Sequence, residues 1–560
     1  MTSVPMPQTV DVVVLGAGAA GMAAALVAAL EGLSVIMLEK TDQVGGITAT
    51  SGGTAWVPGT HLSDIAGVPD RVEDAAAFLT AVVGNRGGDE LRAAFLESGP
   101  AAIEQLDRDT EVKFVAAAAH PDYLDGPGSA YGGRALSPVE FDGRLLSRED
   151  FDRVRPPRPE FVGLGGMMVG RVELSALLKP FGSVSNLVTA LRIVGRYARD
   201  RLRYRRGTRL LMGNALVARF LYSLRQARVP IRFGAETRRL LVEGNRVVGV
   251  ELEGGDVIRA QKGVVMATGG LCWNRELRQQ LFPAEARDCS LAPVGNTGQG
   301  ADLSRKAGAM LDDGGDSPAL WMPCSSYRKP DGHVAVWPHI LLDRAKPGLL
   351  AVNSRGERFV DESLSYHDFS MGQIRAGAFP AHLVCDAAFM RRYGLGLVLP
   401  GAFNLSGLVR AGYMKTAPTL EALARRIGCD PAGLSKTVSD YNRYAETGED
   451  EAFGRGGSVM SRFNGDASVG SNPCLGTIGK GPFYAVEVKP FDLATSAGVK
   501  CDALGRALDA EGEPIEGLFA CGNDATSIFR GTYPGPGTTI GPAIVFGWRI
   551  ARHLAGRLPA

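Results

Sequence analysis

Tyr533 stands near the head of the run RGTYPGPGTTIGP, Arg530 to Pro542, in which glycines and prolines surround one aromatic hydroxyl. Tyr366 closes NSRGERFVDESLSY, and Tyr123 lies in HPDYLDGPGSAYGGR with Tyr131 close by. A phenol with a pKa near 10 donates well to a carbonyl and is a poor base unless its surroundings lower that value. Two tyrosines in one site would therefore divide the work, one taking a proton and the other polarising an oxygen. Around Tyr533 the prolines stiffen the chain, while Gly535 and Gly537 remove side chains so that backbone can meet a ligand. The plain alternative for each tyrosine is a partly buried ring with a locally satisfied hydroxyl, and for Tyr123 taken alone that alternative is preferred. The seven histidines (61, 120, 333, 339, 367, 382 and 553) form no cluster in the sequence and single out no proton-transfer residue.

Such groups need a scaffold, and its first part is readable near the N-terminus. Val12 to Leu15 is a continuous branched apolar run, as in a parallel strand buried on both faces. It leads into Gly16-Ala17-Gly18-Ala19-Ala20-Gly21, an alanine-rich helix to about Glu31, and a second strand, Ser34 to Leu38, ending on Glu39 and Lys40. In this unit Gly16 permits the tight turn, Gly18 admits a pyrophosphate to the backbone and Gly21 lets the helix pack on the strand. The helix start offers free N–H groups and the positive end of its dipole, and Glu39 stands where an acid grips ribose hydroxyls. Asp42 to Pro58 carries Gly45, Gly46, Thr48, Ser51, Gly52 and Gly53 in a segment too open for a helix, suited to a cofactor with a long flavin end. Gly263 to Gly270, with Ala267, Thr268 and Gly269, and Gly517 to Asp524, with Gly522 and Asn523, read as further buried strands ending at glycine. Gly535 and Thr538, in the tyrosine loop, complete the candidate cofactor set. A single complete GxGxxG favours a tightly bound FAD over FAD with a docked NAD(P)H.

The length of 560 residues allows two or three domains. Cofactor-type elements at both ends of the chain imply an α/β, discontinuous Rossmann-like FAD-binding domain, residues 1–316 and 495–560, interrupted by an α+β catalytic domain, residues 317–494. The formal charge of +1 gives no field to recruit nucleic acid, and 73 glycines are well above the usual share of roughly 7%. Eight scattered cysteines without a CxxC pair argue against disulfides, zinc or an iron–sulfur cluster and fit a reducing cytoplasm. The start MTSVPMPQTVD has no basic region of the kind that opens a signal peptide. Val12 to Leu30 holds nineteen uncharged residues, yet its spaced glycines favour strand, turn and helix over a membrane span. From Gly166 to Phe220 the composition changes, with eight arginines between Arg192 and Arg209 set among leucines and tyrosines. That pattern fits either a basic amphipathic helix on an anionic membrane surface or a solvated face paired with acids or a partner subunit.

The FAD fingerprint, Asn353-Ser-Arg-Gly-Glu-Arg-Phe359, Thr495-Ser-Ala-Gly-Val499 and the ending GLFACGN together resemble the fumarate reductase/succinate dehydrogenase-like flavoproteins. Pro347 to Tyr366 and Tyr533-Pro-Gly-Pro-Gly-Thr-Thr-Ile-Gly-Pro542 narrow the likeness to the 3-ketosteroid Δ1-dehydrogenase branch. The resemblance implies removal of two hydrogens from C1 and C2 of a 3-ketosteroid, C1 giving hydride to the flavin. Tyr366 would take the C2 proton, and the Tyr533 hydroxyl with the Gly537 N–H would hold the C3 carbonyl as an oxyanion hole does. Tyr123 would adjoin Tyr366 and relay its proton. Trp321, Met322, Trp337, Ile340, Leu341 and Leu342 are candidates for the apolar wall, or ordinary core. The expected electron acceptor is a quinone or another non-NAD carrier, and the expected location is the cytoplasm, with the basic segment touching the inner face of the cell membrane. Two alternatives stay open: a relative acting at another bond, such as a Δ4-(5α)-dehydrogenase or an enoate-type reductase, and a flavin-binding electron relay with no small substrate of its own. No arginine–histidine constellation for a dicarboxylate stands out.

Overall fold

The computed structural model describes residues 8–170, 173, 176–177, 179–340, 343–402 and 404–558. Its larger sheet has eight strands, and the apolar run foreseen at Val12 is the centre of it. Thr9–Leu15 lies parallel between Val257–Met266 and Val35–Glu39, and Ile231–Phe233 and Pro514–Ala520 extend the parallel part on either side. A strand with parallel neighbours on both edges and helices against it must be apolar all along; Val12, Val13 and Val14 are accordingly buried. The sequence from Leu240 to Ile258 is β-rich with glycine turn signals, and the antiparallel strands Thr237–Glu243 and Arg246–Leu252 form there on the same sheet.

Ala19–Leu30, the helix after the glycine turn, packs against the terminal helix Ile540–Leu554. Alanines and glycines on both faces allow that close approach, and a Cβ on Gly547 would lie 2.7 Å from the Ala20 carbonyl oxygen.

Residues between Ala319 and Thr495 build a second sheet of six strands. In order these are Val334–Pro338, Ala319–Arg328, Phe483–Thr495, Ala381–Cys385 and Leu349–Val352, with Met414–Ala417 also pairing with Phe483–Thr495. The sequence reads as helical from Pro418 to Cys429 and, after an Asp-Pro entry, from Asp430 to Thr447; the helices are Leu420–Ile427 and Pro431–Thr447, the second opened by Asp430, whose carboxylate accepts from the Ala432 and Gly433 N–H groups. The basic segment contains the helix Val184–Arg201, and a second helix, Met212–Gln226, follows it. No helix among the described residues is long and apolar enough to cross a membrane.

Candidate active site

One cavity of about 560 Å³ runs from the glycine turn of the large sheet to the three tyrosines. Gly16 has a φ of +101°, and a Cβ there would lie 2.2 Å from the Ala267 carbonyl oxygen, so the turn tolerates no side chain. Gly21 does what its spacing implies without touching the cavity: a Cβ would come within 2.1 Å of the Gly16 oxygen. At Gly18 a Cβ would meet nothing, because that position opens into the cavity. The helix beginning at Ala19 has no acidic residue in its first turn and no side-chain cap, although Thr48 Oγ1 accepts from the Ala19 N–H at 3.3 Å. This open helix start suits a phosphate.

Glu39 lines the cavity and also fastens its rim, accepting from the Ala17 N–H at 3.0 Å and from the Thr41 N–H at 2.9 Å. Arg155, absent from the sequence-derived set, lines the same end and has a buried Nε without a partner. An unpaired guanidinium N–H in the cavity that the open helix start also lines fits an anionic pyrophosphate.

Ala20, Lys40, Gly46, Ser51, Gly52, Gly53, Ala267, Thr268, Gly269, Gly522 and Asn523 line the cavity as well. Gly45, Gly535 and Thr538 do not. Gly45 packs against Ala49 and Val217, and Thr538 Oγ1 donates to the Gly535 carbonyl at 2.6 Å, closing a local turn. Asp524, which sequence reasoning passed over, binds strand ends together: it accepts from the Thr268 and Gly270 N–H groups. Asn296, Gly298 and Gln299 also line the cavity, and no motif marked them.

At the other end Tyr123, Tyr366 and Tyr533 pack on one another. Tyr366 and Tyr533 meet edge to face at 5.0 Å between ring centroids, Tyr123 and Tyr533 stack at 5.8 Å, and the Tyr123 hydroxyl donates to that of Tyr366 at 3.5 Å. The Tyr533 hydroxyl reaches both Tyr366 and Thr539. Tyr131 is exposed and packs on Phe463, away from the set.

The surroundings do the opposite of making a base. Burial raises all three phenols, and the neighbouring phenols add to this at Tyr366, which lies well above the ordinary value; Tyr533 is pushed up to about 12. Resting phenolate is therefore absent near neutral pH. Gly537 lines the same end with a φ of +96°; its carbonyl accepts from the Trp56 N–H, and its own N–H has no acceptor among the described residues.

Contacts from other segments of the chain fix these groups. The Tyr123 N–H donates to the Pro534 carbonyl at 2.8 Å, tying two tyrosine loops together. Asp122, next in the chain, accepts from Trp56 Nε1 at 2.8 Å and pairs with Arg134 at 2.7 Å. His367 Nδ1 accepts from the Trp321 N–H at 3.1 Å, so Nε2 carries the proton it donates to the Gly531 carbonyl at 2.9 Å. Burial lowers the pKa of this histidine, in keeping with a neutral ring. Arg344 donates to the Glu362 and Leu364 carbonyls just ahead of Tyr366.

Of the wall candidates, Met322 and Ile340 line the cavity. Trp321 is buried against Phe282, Trp337 packs on Phe161, and Leu341 and Leu342 lie outside the described residues. His120, Arg158, Phe161, Met168 and Leu291 line this end too, unmarked by any motif.

Residues 11–540 match the FAD binding domain family. The chain is 38% identical to 4-oxocyclohex-2-ene-1-carboxylate 5-dehydrogenase of Sinomonas cyclohexanicum, over 97% of this chain and 93% of that protein. It is 34% identical to 3-oxosteroid 1-dehydrogenase of Mycolicibacterium smegmatis, over 99% and 98%. Among solved structures it is similar to 3-ketosteroid Δ1-dehydrogenase from Sterolibacterium denitrificans in complex with 1,4-androstadiene-3,17-dione, at 33% identity and a TM-score of 0.90, over 98% of this chain and all of that one.

Proposed function

The chain belongs to the FAD binding domain family, and from that premise we propose that it dehydrogenates the C1–C2 bond beside the ketone of a 3-ketosteroid. It is an FAD-dependent oxidoreductase, and FAD is its cofactor. The observation that carries the reading is the gathering of three phenols beside the unclaimed Gly537 N–H, at the far end of a cavity that begins at the glycine turn. In this reading residues 1–316 and 495–560 hold the cofactor and residues 317–494 supply the catalytic half.

Bound FAD supplies the hydride acceptor for C1. The Tyr533 hydroxyl and the Gly537 N–H donate to the C3 oxygen and stabilise the charge that develops there, which acidifies C2. Tyr366 accepts the C2 proton. Because its own pKa is raised, it passes its hydroxyl proton to Tyr123 as it does so, while Tyr123 turns its O–H away from Tyr366 and releases its own proton outward to solvent, and no phenolate need stand waiting. The aliphatic lining excludes water from the enolate-like charge.

Anaerobic mixing of the yellow protein with a panel of saturated and 4-ene 3-ketosteroids tests this. Flavin bleaching with a new C1=C2 bond is the expected result. A double bond elsewhere would favour a Δ4-(5α)-dehydrogenase or enoate-type activity, and no bleaching by any steroid would favour an electron relay. The names of the two curated relatives share a six-membered ring ketone and differ in what that ring carries, a steroid skeleton in one and a carboxylate in the other. The tyrosine–glycine end addresses the ketone they share.

The reading extends to the surface. Phe181, Val184, Val188, Leu191 and Leu202 are exposed along and beside the helix Val184–Arg201. Arg192, Arg199, Arg201, Arg203 and Arg205 are exposed beside them, with no ion pair among the described residues. Apolar side chains flanked by unpaired arginines suit the inner face of an anionic membrane, near poorly soluble substrate. A quinone or another non-NAD carrier is the acceptor in this scheme. Val188→Asp with Leu191→Asp should abolish co-flotation with anionic vesicles; unchanged flotation would end the membrane reading.

A further inference from the structure

Arg158 lines the substrate end of the cavity and, unlike several of this protein's interior arginines, has no ion-paired acid among the described residues. Arg134 pairs with Asp122 at 2.7 Å, Arg278 with Asp492 at 2.7 Å and Arg455 with Glu362 at 3.0 Å. Arg158 is half-buried and has no described carboxylate within the 4.0 Å of an ion pair. Its one acceptor among the described residues is the Leu291 carbonyl. Leu291 belongs to the apolar cluster that includes Tyr123, Tyr366 and Tyr533, so this contact sets the guanidinium against the wall that the tyrosines share.

The acid nearest in the chain, Glu160, makes no ion pair with Arg158; its carboxylate stands 3.6 Å from His333 and acts on the guanidinium only through space. The backbone around Arg158 is held rigid: Pro156, Pro157 and Pro159 fix φ on both sides of it, and Phe161 packs on Trp337 at 5.5 Å. A fixed fork of donors, short of a counter-ion and facing a ligand cavity, is suited to a planar anion. Burial also lowers its pKa, an effect that Cys324 and Glu160 offset only in part.

We propose that Arg158 is the anion-binding group of the substrate end, and that the substrate is a ring ketone carrying a carboxylate, its ketone at Tyr533 and Gly537 and its carboxylate on the Arg158 guanidinium. The proposal rests on the ketone dehydrogenation argued above and names the class of molecule that enters. Two sources share this chemistry, a steroid acid with an intact 3-keto ring and a monocyclic 4-oxocyclohexanecarboxylate.

Each is tested against its neutral methyl ester by steady-state kinetics with the FAD-loaded enzyme. The wild type should prefer the acid over the ester by about ten- to a hundredfold in kcat/KM in at least one pair, as a charge-assisted bond to a carboxylate gives. The pair with the larger preference identifies the source. Arg158→Gln should erase that preference mainly through KM, and Arg158→Lys should restore part of it.

Titration of the visible flavin spectrum with cyclohexanecarboxylate, which has no ketone to oxidise, gives a readout apart from turnover. The wild type should respond at a concentration at least tenfold lower than Arg158→Gln. Acid and ester handled alike by the wild type in both pairs, or an acid preference that survives in a flavin-loaded Arg158→Gln, would overturn the assignment. Absence of flavin bleaching with every ketone, while cyclohexanecarboxylate still binds in an Arg158-dependent way, would instead remove the dehydrogenation reading and leave the anion site standing.

Discussion

At its cofactor end the cavity is walled by backbone: the Gly16 turn, the open start of the helix at Ala19, and strand ends joined through Asp524. At its substrate end it is walled by side chains delivered from far apart, with Tyr123 and Tyr366 meeting across 243 positions of sequence. The first end leaves no room for change at Gly16 and Gly21, because a Cβ at either strikes a carbonyl oxygen. The second end has space but depends on hydroxyl positions held by remote hydrogen bonds. Binding and chemistry should therefore be separable by mutation.

Gly16→Ala should break the backbone end outright. The added Cβ, at a positive φ and 2.2 Å from the Ala267 oxygen, forces the turn open, and the purified variant should carry little or no flavin by absorbance. Tyr366→Phe should leave flavin content intact and lower the rate of anaerobic flavin reduction by about 10²- to 10⁴-fold, the range for losing a proton-transfer group. Tyr533→Phe should also stay yellow and lose about 10²- to 10³-fold, as when one oxyanion donor is removed, since the Gly537 N–H remains. A colourless tyrosine variant, or a fully loaded Gly16→Ala, would break the separation.

The smallest effect concerns pH. Tyr123, Tyr366 and Tyr533 are raised in the folded protein, Tyr533 to about 12, against an ordinary value near 10. The stability that their protonated forms contribute is complete below pH 10 and is lost as pH rises toward 12, where unfolded tyrosines ionise first. Melting temperature should therefore fall more steeply above pH 10 in the wild type than in Tyr123→Phe.

The backbone end was the legible one, for a physical reason. A glycine turn between a buried strand and a helix is a local arrangement, so its constraints fall on neighbouring residues and leave a spaced pattern. The parallel strands at Thr9 and Val35, and the helices at Leu420 and Pro431, were readable in the same way, from apolar runs and from the Asp-Pro entry at Asp430. His367, Asp122, Trp56 and Arg158 left no such pattern. Each acts through contacts to residues tens or hundreds of positions away, and these pairings exist only once the two sheets and the tyrosine loops are assembled. The reading of Gly535 and Thr538 as cofactor residues shows the converse: a glycine-rich run marked the right loop, but two of its members close a turn on each other instead of facing the cavity. Phenol basicity was equally out of reach, since burial, which sets its direction here, is a property of the fold.

The most direct test asks whether the tyrosine end moves the proton without help from oxidation. The protein is incubated in D2O with its flavin already reduced, so that no hydride can be accepted, together with a 3-ketosteroid, and deuterium at C2 is followed by NMR. The account predicts exchange at C2 well above the buffer rate in the wild type and its loss in Tyr366→Phe that retains full flavin. Exchange at the buffer rate in the wild type, or equal exchange in the two proteins, would contradict it.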